Sequence, residues 1–324
     1  MKALLSKSVG GPETLVVEDM PDPQPGPGQV RMAVKACGVN YPDLLIIQDR
    51  YQFKPERPFA PGGEVSGVVE AVGPGVTTLK VGDRVIGSCG WGGMATKLVL
   101  EEDRCIPFPD AMPFEVASAL ILTYGTTIHA LKDRAKLMAG ETLAVLGAAG
   151  GTGLAAIEIG KLMGARVIAC ASSDEKCAFA KRHGADETIN YGSGDLRAEL
   201  KRLGGAHGID VVYDPVGDKY AEPALRSMAW EGRYLVIGFA AGDIPKIPLN
   251  LVLLKSCDIV GVHWGAFVER EPEKEAANMA QIVRWCAEGR LSAHVHAVYP
   301  LAETAQALKD IAARKIMGKA ILKP

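Results

Sequence analysis

Residues 142–162 read TLAVLGAAGGTGLAAIEIGKL, a short apolar strand pattern, a run holding four glycines, and then an apolar helical pattern. A strand that stops on glycines and restarts as a helix is the opening of a βαβ unit, and the backbone amides at such a helix N-terminus attract a pyrophosphate. Gly150 allows close backbone approach, Gly151 and Thr152 complete the turn, and Gly153 lets the helix pack tightly on the sheet. Ala148 stands where the first glycine of the dinucleotide fingerprint usually sits. The stretch predicts a dinucleotide site; a tight strand-to-helix connection alone is the other reading.

Working outward, strand and helix patterns alternate on the C-terminal side of residue 112, with strands expected at 142–146, 166–169, 188–190, 209–214, 233–237 and 259–262. Such alternation argues for a parallel, doubly wound sheet. Residues 1–110 differ: Pro21, Pro23, Pro25, Gly26, Pro27 and Gly28 separate short apolar runs, and strands are expected at 30–36, 65–72, 84–87 and 96–100. An all-β first domain, of the kind a partly open barrel forms, follows. The tail carries an amphipathic helix over 271–288 and a strand pattern in 318–324, and is expected to rejoin that first domain. A length of 324 residues suits two cores.

With 36 basic against 38 acidic residues the net charge is -2, which argues against nucleic acid or a membrane surface as an electrostatic partner. The seven cysteines are scattered, unlike a secreted disulfide framework, and no apolar run reaches the length of a membrane span. Nor does the N-terminus carry the apolar region of a signal peptide. A soluble, cytoplasmic protein is expected.

The second strand of the alternating region runs into Ala171, Ser172 and Ser173. An NAD site usually places an acidic residue near this point to accept the ribose 2′-hydroxyl. Here Ser172 and Ser173 can donate to a 2′-phosphate, with Lys176 one helical turn onward, so NADP(H) is the expected cofactor. Asp174 and Glu175 lie close by and weaken this argument; either could instead belong to the first turn of a solvated helix.

The chain resembles the medium-chain dehydrogenase/reductases, and among them the zeta-crystallin-like quinone oxidoreductases, over essentially its whole length. The resemblance rests on ACGVNYPD at 36–43, PGGEVSGVVEAVG at 61–73, VGDRV at 81–85, GAAGGTG at 147–153 and GKAILKP at 318–324. It implies an α/β protein with a GroES-like β-barrel catalytic domain, from 1–123 and 263–324, plus a doubly wound Rossmann domain at 124–262. It also implies a homodimer through the Rossmann sheet. By matched position, Asn40 and Asp43 lie near the nicotinamide, Thr126 contacts the cofactor, Lys176 and Tyr191 hold the 2′-phosphate, and Phe239 contacts the nicotinamide ribose or carboxamide.

Zinc-dependent relatives bind a catalytic metal through a Cys and a His at the positions that are Asn40 and Gly63 here, and neither residue supplies a thiolate or an imidazole. No metal is expected. The H-x-H pair of His294 and His296 lacks a third ligand and reads as exposed strand.

The chemistry implied is hydride transfer to a small conjugated acceptor, a quinone or an α,β-unsaturated carbonyl, whose conjugation spreads the developing charge. Tyr51 is the candidate donor to that charge, or else a loop-edge tyrosine with its hydroxyl in water. Asn40 is the candidate positioner of nicotinamide or acceptor. Trp91, Trp264 and Phe267 suit an apolar acceptor wall and equally suit core packing. An enoyl-thioester (acyl-CoA) reductase and a non-catalytic NADPH-binding protein are the rival readings.

Overall fold

The computed structural model describes all 324 residues, which form two compact units, Met1–Leu122 with Ala293–Pro324, and Thr123–Ser292. In chain order the strands are β1 (Lys2–Leu5), β2 (Val16–Asp19), β3 (Gln29–Val39), β4 (Glu64–Val72), β5 (Arg84–Ser88), β6 (Lys97–Glu101), β7 (Cys105–Pro107), β8 (Thr142–Leu146), β9 (Arg166–Ala171), β10 (Glu187–Asn190), β11 (Ile209–Asp214), β12 (Met228–Val236), β13 (Asp258–Gly261), β14 (Val295–Pro300) and β15 (Lys319–Lys323).

The first unit holds a seven-stranded sheet in the order β14-β15-β3-β4-β5-β7, with β6 also paired to β3, and a separate antiparallel pair, β1 and β2. Strand β3 is its hub, because three antiparallel partners take up its backbone groups. Its N-terminal half alternates, burying Val30, Met32 and Val34 against Val65, Val69 and Val85. Strand β15, from the chain's last residues, closes onto β3 with Ala320 opposite Val39 and Leu322 opposite Cys37.

The second unit is a six-stranded, all-parallel sheet in the order β10-β9-β8-β11-β12-β13. Strands β8, β9 and β11 are buried on both faces, as an all-parallel sheet covered by helices requires. The winding goes outward from β8 through β9 to β10, then returns to β11 on the other side. That reversal lies beside β8, and ligands of open parallel sheets bind off the carboxyl ends of the strands at such a point.

Residues 263–292 cluster with the second unit rather than with the first, where the sequence reading put them. The helix Pro272–Ala287 finds its polar partners there: Lys132 Nζ donates to Asn278 Oδ1 at 2.8 Å, and Asn278 Nδ2 donates to Asp133 Oδ2 at 3.0 Å. Ser292 N donates to Glu158 Oε1 at 3.2 Å, so the return to the first unit falls at residue 293. No helix is long and apolar enough to cross a membrane.

One buried group on this helix sets a pH dependence. Glu275 is 7% exposed, and neither carboxyl oxygen has a well-formed hydrogen bond, although the Trp264 indole is near. Burial, reinforced by the Asp133 carboxylate, pushes the Glu275 carboxyl up to about 7, while the Trp264 indole pulls it the other way. A carboxyl whose folded pKa exceeds its unfolded one holds its proton more tightly when folded, so its contribution is full at low pH and lost as pH rises through 7. Glu275→Gln should therefore be more stable than the parent at about pH 8, by about 3 kcal/mol, and nearly equal to it at about pH 4. Urea melts at the two pH values check this; the same difference at both would contradict it.

Candidate active site

The glycine-rich turn follows β8 directly. Gly147 takes the left-handed conformation (φ +59), so the sharp turn is made one residue before Ala148, which keeps ordinary backbone and donates its N–H to Cys170 O at 3.1 Å. The helix Gly151–Leu162 starts at an extended Gly150, and no side chain caps its first turn. The first-turn amides are thus free of a side-chain cap where an anion would bind. At Gly153 a Cβ would lie 2.3 Å from Gly147 O and 2.8 Å from the Ala148 Cα, so any side chain would force the helix off the strand.

The end of β9 brings the second group together. Ser173 caps the helix Asp174–Arg182, its hydroxyl accepting from Lys176 N at 3.3 Å, and Lys176 Nζ donates to Ser172 Oγ at 3.5 Å. Asp174 is turned to other use: its Oδ1 accepts from Asn190 Nδ2 at 2.7 Å. Glu175 is exposed in the same first turn. Tyr191, just past β10, donates its N–H to Ala171 O at 2.9 Å, and its ring lies 4.5 Å from that of Tyr220. Ser172, Ser173, Lys176 and Tyr191 therefore share one end of the sheet.

Thr126 is half-buried in a short helix, Thr126–Ile128. Its neighbour Thr127, which sequence reasoning missed, ties this helix to the glycine turn: Thr127 Oγ1 donates to Thr123 O at 2.7 Å, lies 3.4 Å from Thr152 O, and shares a 2.9 Å hydrogen bond with Tyr213 Oη. Phe239 follows β12 and is 36% exposed. It borders an apolar cavity of about 160 Å³, lined also by Leu225, Tyr234, Ile244 and Ile259. Phe267 stacks on His129 at 3.8 Å, the packing role left open for it above, while Trp264 lies against Gly125.

In the first unit, Asn40 precedes the helix Tyr41–Ile46. Asp43 reaches back to accept from Asn40 N at 2.8 Å and accepts from Gly62 N at 3.0 Å. Asp43 is 3% exposed, and burial pushes its carboxyl up to about 7 against the pull of those two amides. Both polar atoms of the Asn40 side chain have partners: Nδ2 donates to Gly38 O at 3.2 Å and Glu64 Oε1 at 2.9 Å, and Oδ1 accepts from Lys319 Nζ at 2.6 Å. Glu64 and Lys319 carry no local signal in the sequence, since strands 255 positions apart bring them together. Tyr51 is half-buried with its ring 5.9 Å from Phe53. Burial, and then the Asp43 charge, raise its phenol above the usual value, so it keeps its proton.

No group of three or more His, Cys, Asp or Glu side chains is placed to hold a metal ion. The Cys37 thiol, three residues before Asn40, is fully buried and raised far above the usual range by that burial.

A β unit closed by the chain's last strand, and a doubly wound unit with an uncapped glycine turn off its central strand, define a medium-chain dehydrogenase/reductase. Residues 26–110 match the family model described as alcohol dehydrogenase GroES-like domain, and residues 151–283 the one described as zinc-binding dehydrogenase. The chain is similar to quinone oxidoreductase-like protein 2 of Bos taurus, 40% identical across 95% of this chain and 88% of the relative. It is also similar to a quinone oxidoreductase of Pseudomonas aeruginosa, 34% identical across 100% and 99% of the two chains. A crystal structure of Escherichia coli quinone oxidoreductase complexed with NADPH superposes with a TM-score of 0.92, at 27% identity and covering 100% of both chains. The chain belongs to the quinone oxidoreductase family of the medium-chain dehydrogenase/reductases.

Proposed function

We propose that the protein transfers a hydride from NADPH to a quinone or an α,β-unsaturated carbonyl without a metal ion. The observation that carries this reading is the grouping of Ser172, Ser173 and Lys176 at the end of β9, in the same unit as the uncapped turn after β8. Two hydroxyls and an ammonium suit a 2′-phosphate, and of the two nearby acidic side chains Asp174 is held by Asn190 while Glu175 stands exposed in the first turn of the helix. The solved relative with bound NADPH supports the same cofactor. When bound, NADPH supplies the hydride, and the acceptor's conjugation leaves the chain only the tasks of orienting, excluding water and stabilising charge.

Tyr51 is the group that meets the developing oxyanion. Its hydroxyl makes no hydrogen bond within the chain and keeps its proton, so it can donate to an enolate or a hydroquinone oxygen. Asn40 and Asp43 hold the turn beside it, and the site at positions 40 and 63 lacks the donors zinc would need. Tyr51→Phe should lower kcat with an enone about 100-fold while leaving the KM for NADPH within about twofold. Steady-state rates with a series of enones and quinones test this; an unchanged kcat would remove Tyr51 from the chemistry, and no turnover with any acceptor would refute the function.

Two further features belong to this reading. Strand β13 is an edge of the parallel sheet, and Leu249, Leu253, Leu254 and Ile259 near it are exposed, so two copies pair there as a homodimer. Leu253→Glu with Leu254→Glu should convert a dimer to a monomer in light scattering; a monomeric parent would refute the pairing. All seven cysteines are free thiols, which supports a reducing compartment, the cytoplasm.

A further inference from the structure

Three strands of the first unit converge on one buried ion pair. Lys319, at the start of β15, is 3% exposed, and its ammonium donates to Glu64 Oε1 at 2.5 Å and Asn40 Oδ1 at 2.6 Å. Glu64, on β4, is fully buried; its Oε1 also accepts from Asn40 Nδ2, and its Oε2 accepts from Leu122 N at 2.8 Å. A buried ion pair adds little net stability, because an apolar pair of similar volume does as well or better. What it does supply is direction. The oxygen and nitrogen of an asparagine amide are nearly the same in shape, so neutral neighbours distinguish them weakly. With an ammonium on Oδ1 and a carboxylate on Nδ2, the flipped amide would set donor against donor and acceptor against acceptor.

The residue held by that amide is also tied, through its backbone, to the segment that follows it. Asn40 N donates to Asp43, which also accepts from Gly62, and the helix Tyr41–Ile46 starts from that pair. Past the helix's other end Arg50 N donates to Leu45 O at 3.0 Å, which holds the residue before Tyr51 against the helix. We propose that Lys319 is a positioning residue of the reductase site: through Glu64 it locks the amide of Asn40, and through Asn40 the segment 40–51 that ends on Tyr51. This inference rests on the function proposed above and adds to it a residue that touches neither cofactor nor acceptor.

The test compares Lys319→Arg, Lys319→Met and the double variant Lys319→Met with Glu64→Gln. Lys319→Met alone strands the Glu64 charge and is expected to lower Tm. The double variant removes both charges and should recover most of that Tm while kcat stays about 10- to 100-fold below the parent with KM for NADPH little changed, as expected for misplacement of a reacting group. Lys319→Arg should restore part of kcat. Recovery of kcat together with Tm in the double variant would overturn the proposal and leave a purely structural pair. Hydrogen exchange gives a second readout that needs no activity: amides in 40–51 should exchange faster in the double variant than in the parent, and unchanged exchange would overturn the anchoring. A parent inactive with every acceptor would refute the function alone, since the exchange result would still decide the anchor.

Discussion

Replacing Lys176 by alanine is expected to weaken NADPH binding about 30-fold and to leave NADH binding within about twofold. One charge-assisted hydrogen bond is worth about 2 kcal/mol, which converts to that factor. The loss is expected to be selective because Lys176 Nζ lies 3.5 Å from Ser172 Oγ at the end of β9, where the proposed cofactor reading puts the 2′-phosphate that only NADPH carries. Adding Ser172→Asp should go further and reverse the preference, because a carboxylate there repels a 2′-phosphate and accepts from a 2′-hydroxyl. Fluorescence titration with each dinucleotide measures both effects. Equal losses for NADPH and NADH would show that Lys176 acts on the fold and not on the phosphate.

Glu64→Ala is expected to give the largest loss of stability, about 3–5 kcal/mol, because it leaves the Lys319 ammonium buried without its counter-charge. Leu122 N loses its acceptor in the same step, and Asn40 Nδ2 loses one of its two. The strands involved, β4 and β15, flank β3, so the cost falls on the centre of the sheet. Urea unfolding followed by circular dichroism measures it. A loss below about 1 kcal/mol would show that water or a shifted side chain replaces Glu64, and would weaken the case for Lys319 as well.

The sequence was most readable where local pattern and local structure coincide. The strands expected at 142–146 and 209–214 are β8 and β11 with the same bounds, because each carries a short buried apolar run, Leu143–Leu146 and Val211–Tyr213, ended by a turn. The edges were harder. Strand β12 starts at Met228, five residues before the expected 233, since Glu231 at φ +58 and Gly232 look like a turn but lie within the strand. The pair β1 and β2 went unread, being four residues each with little alternation. The return at 293 was invisible because it depends on Asn278 and Ser292 finding partners far away in the chain.

The site divides in the same way. Gly150, Gly153, Ser172, Ser173 and Lys176 are contiguous with the strand ends that carry them, so spacing alone placed them in one region. Asn40 was read from its motif as a contact for cofactor or acceptor, yet spacing could not show that Glu64 and Lys319 occupy its amide. A buried lysine in a strand is the one hint that the motif at 318–324 contained, and only the pairing of β15 with β3 gives it meaning.

A metal-independent transfer from NADPH to a conjugated acceptor is best tested by following NADPH consumption with a panel of quinones, enones and enoyl thioesters in the presence of a strong chelator, with NADH in parallel. Turnover that the chelator does not reduce, faster with NADPH than with NADH, is expected for at least one quinone or enone. Tight NADPH binding with no consumption across the panel, or activity that the chelator abolishes and zinc restores, would contradict it.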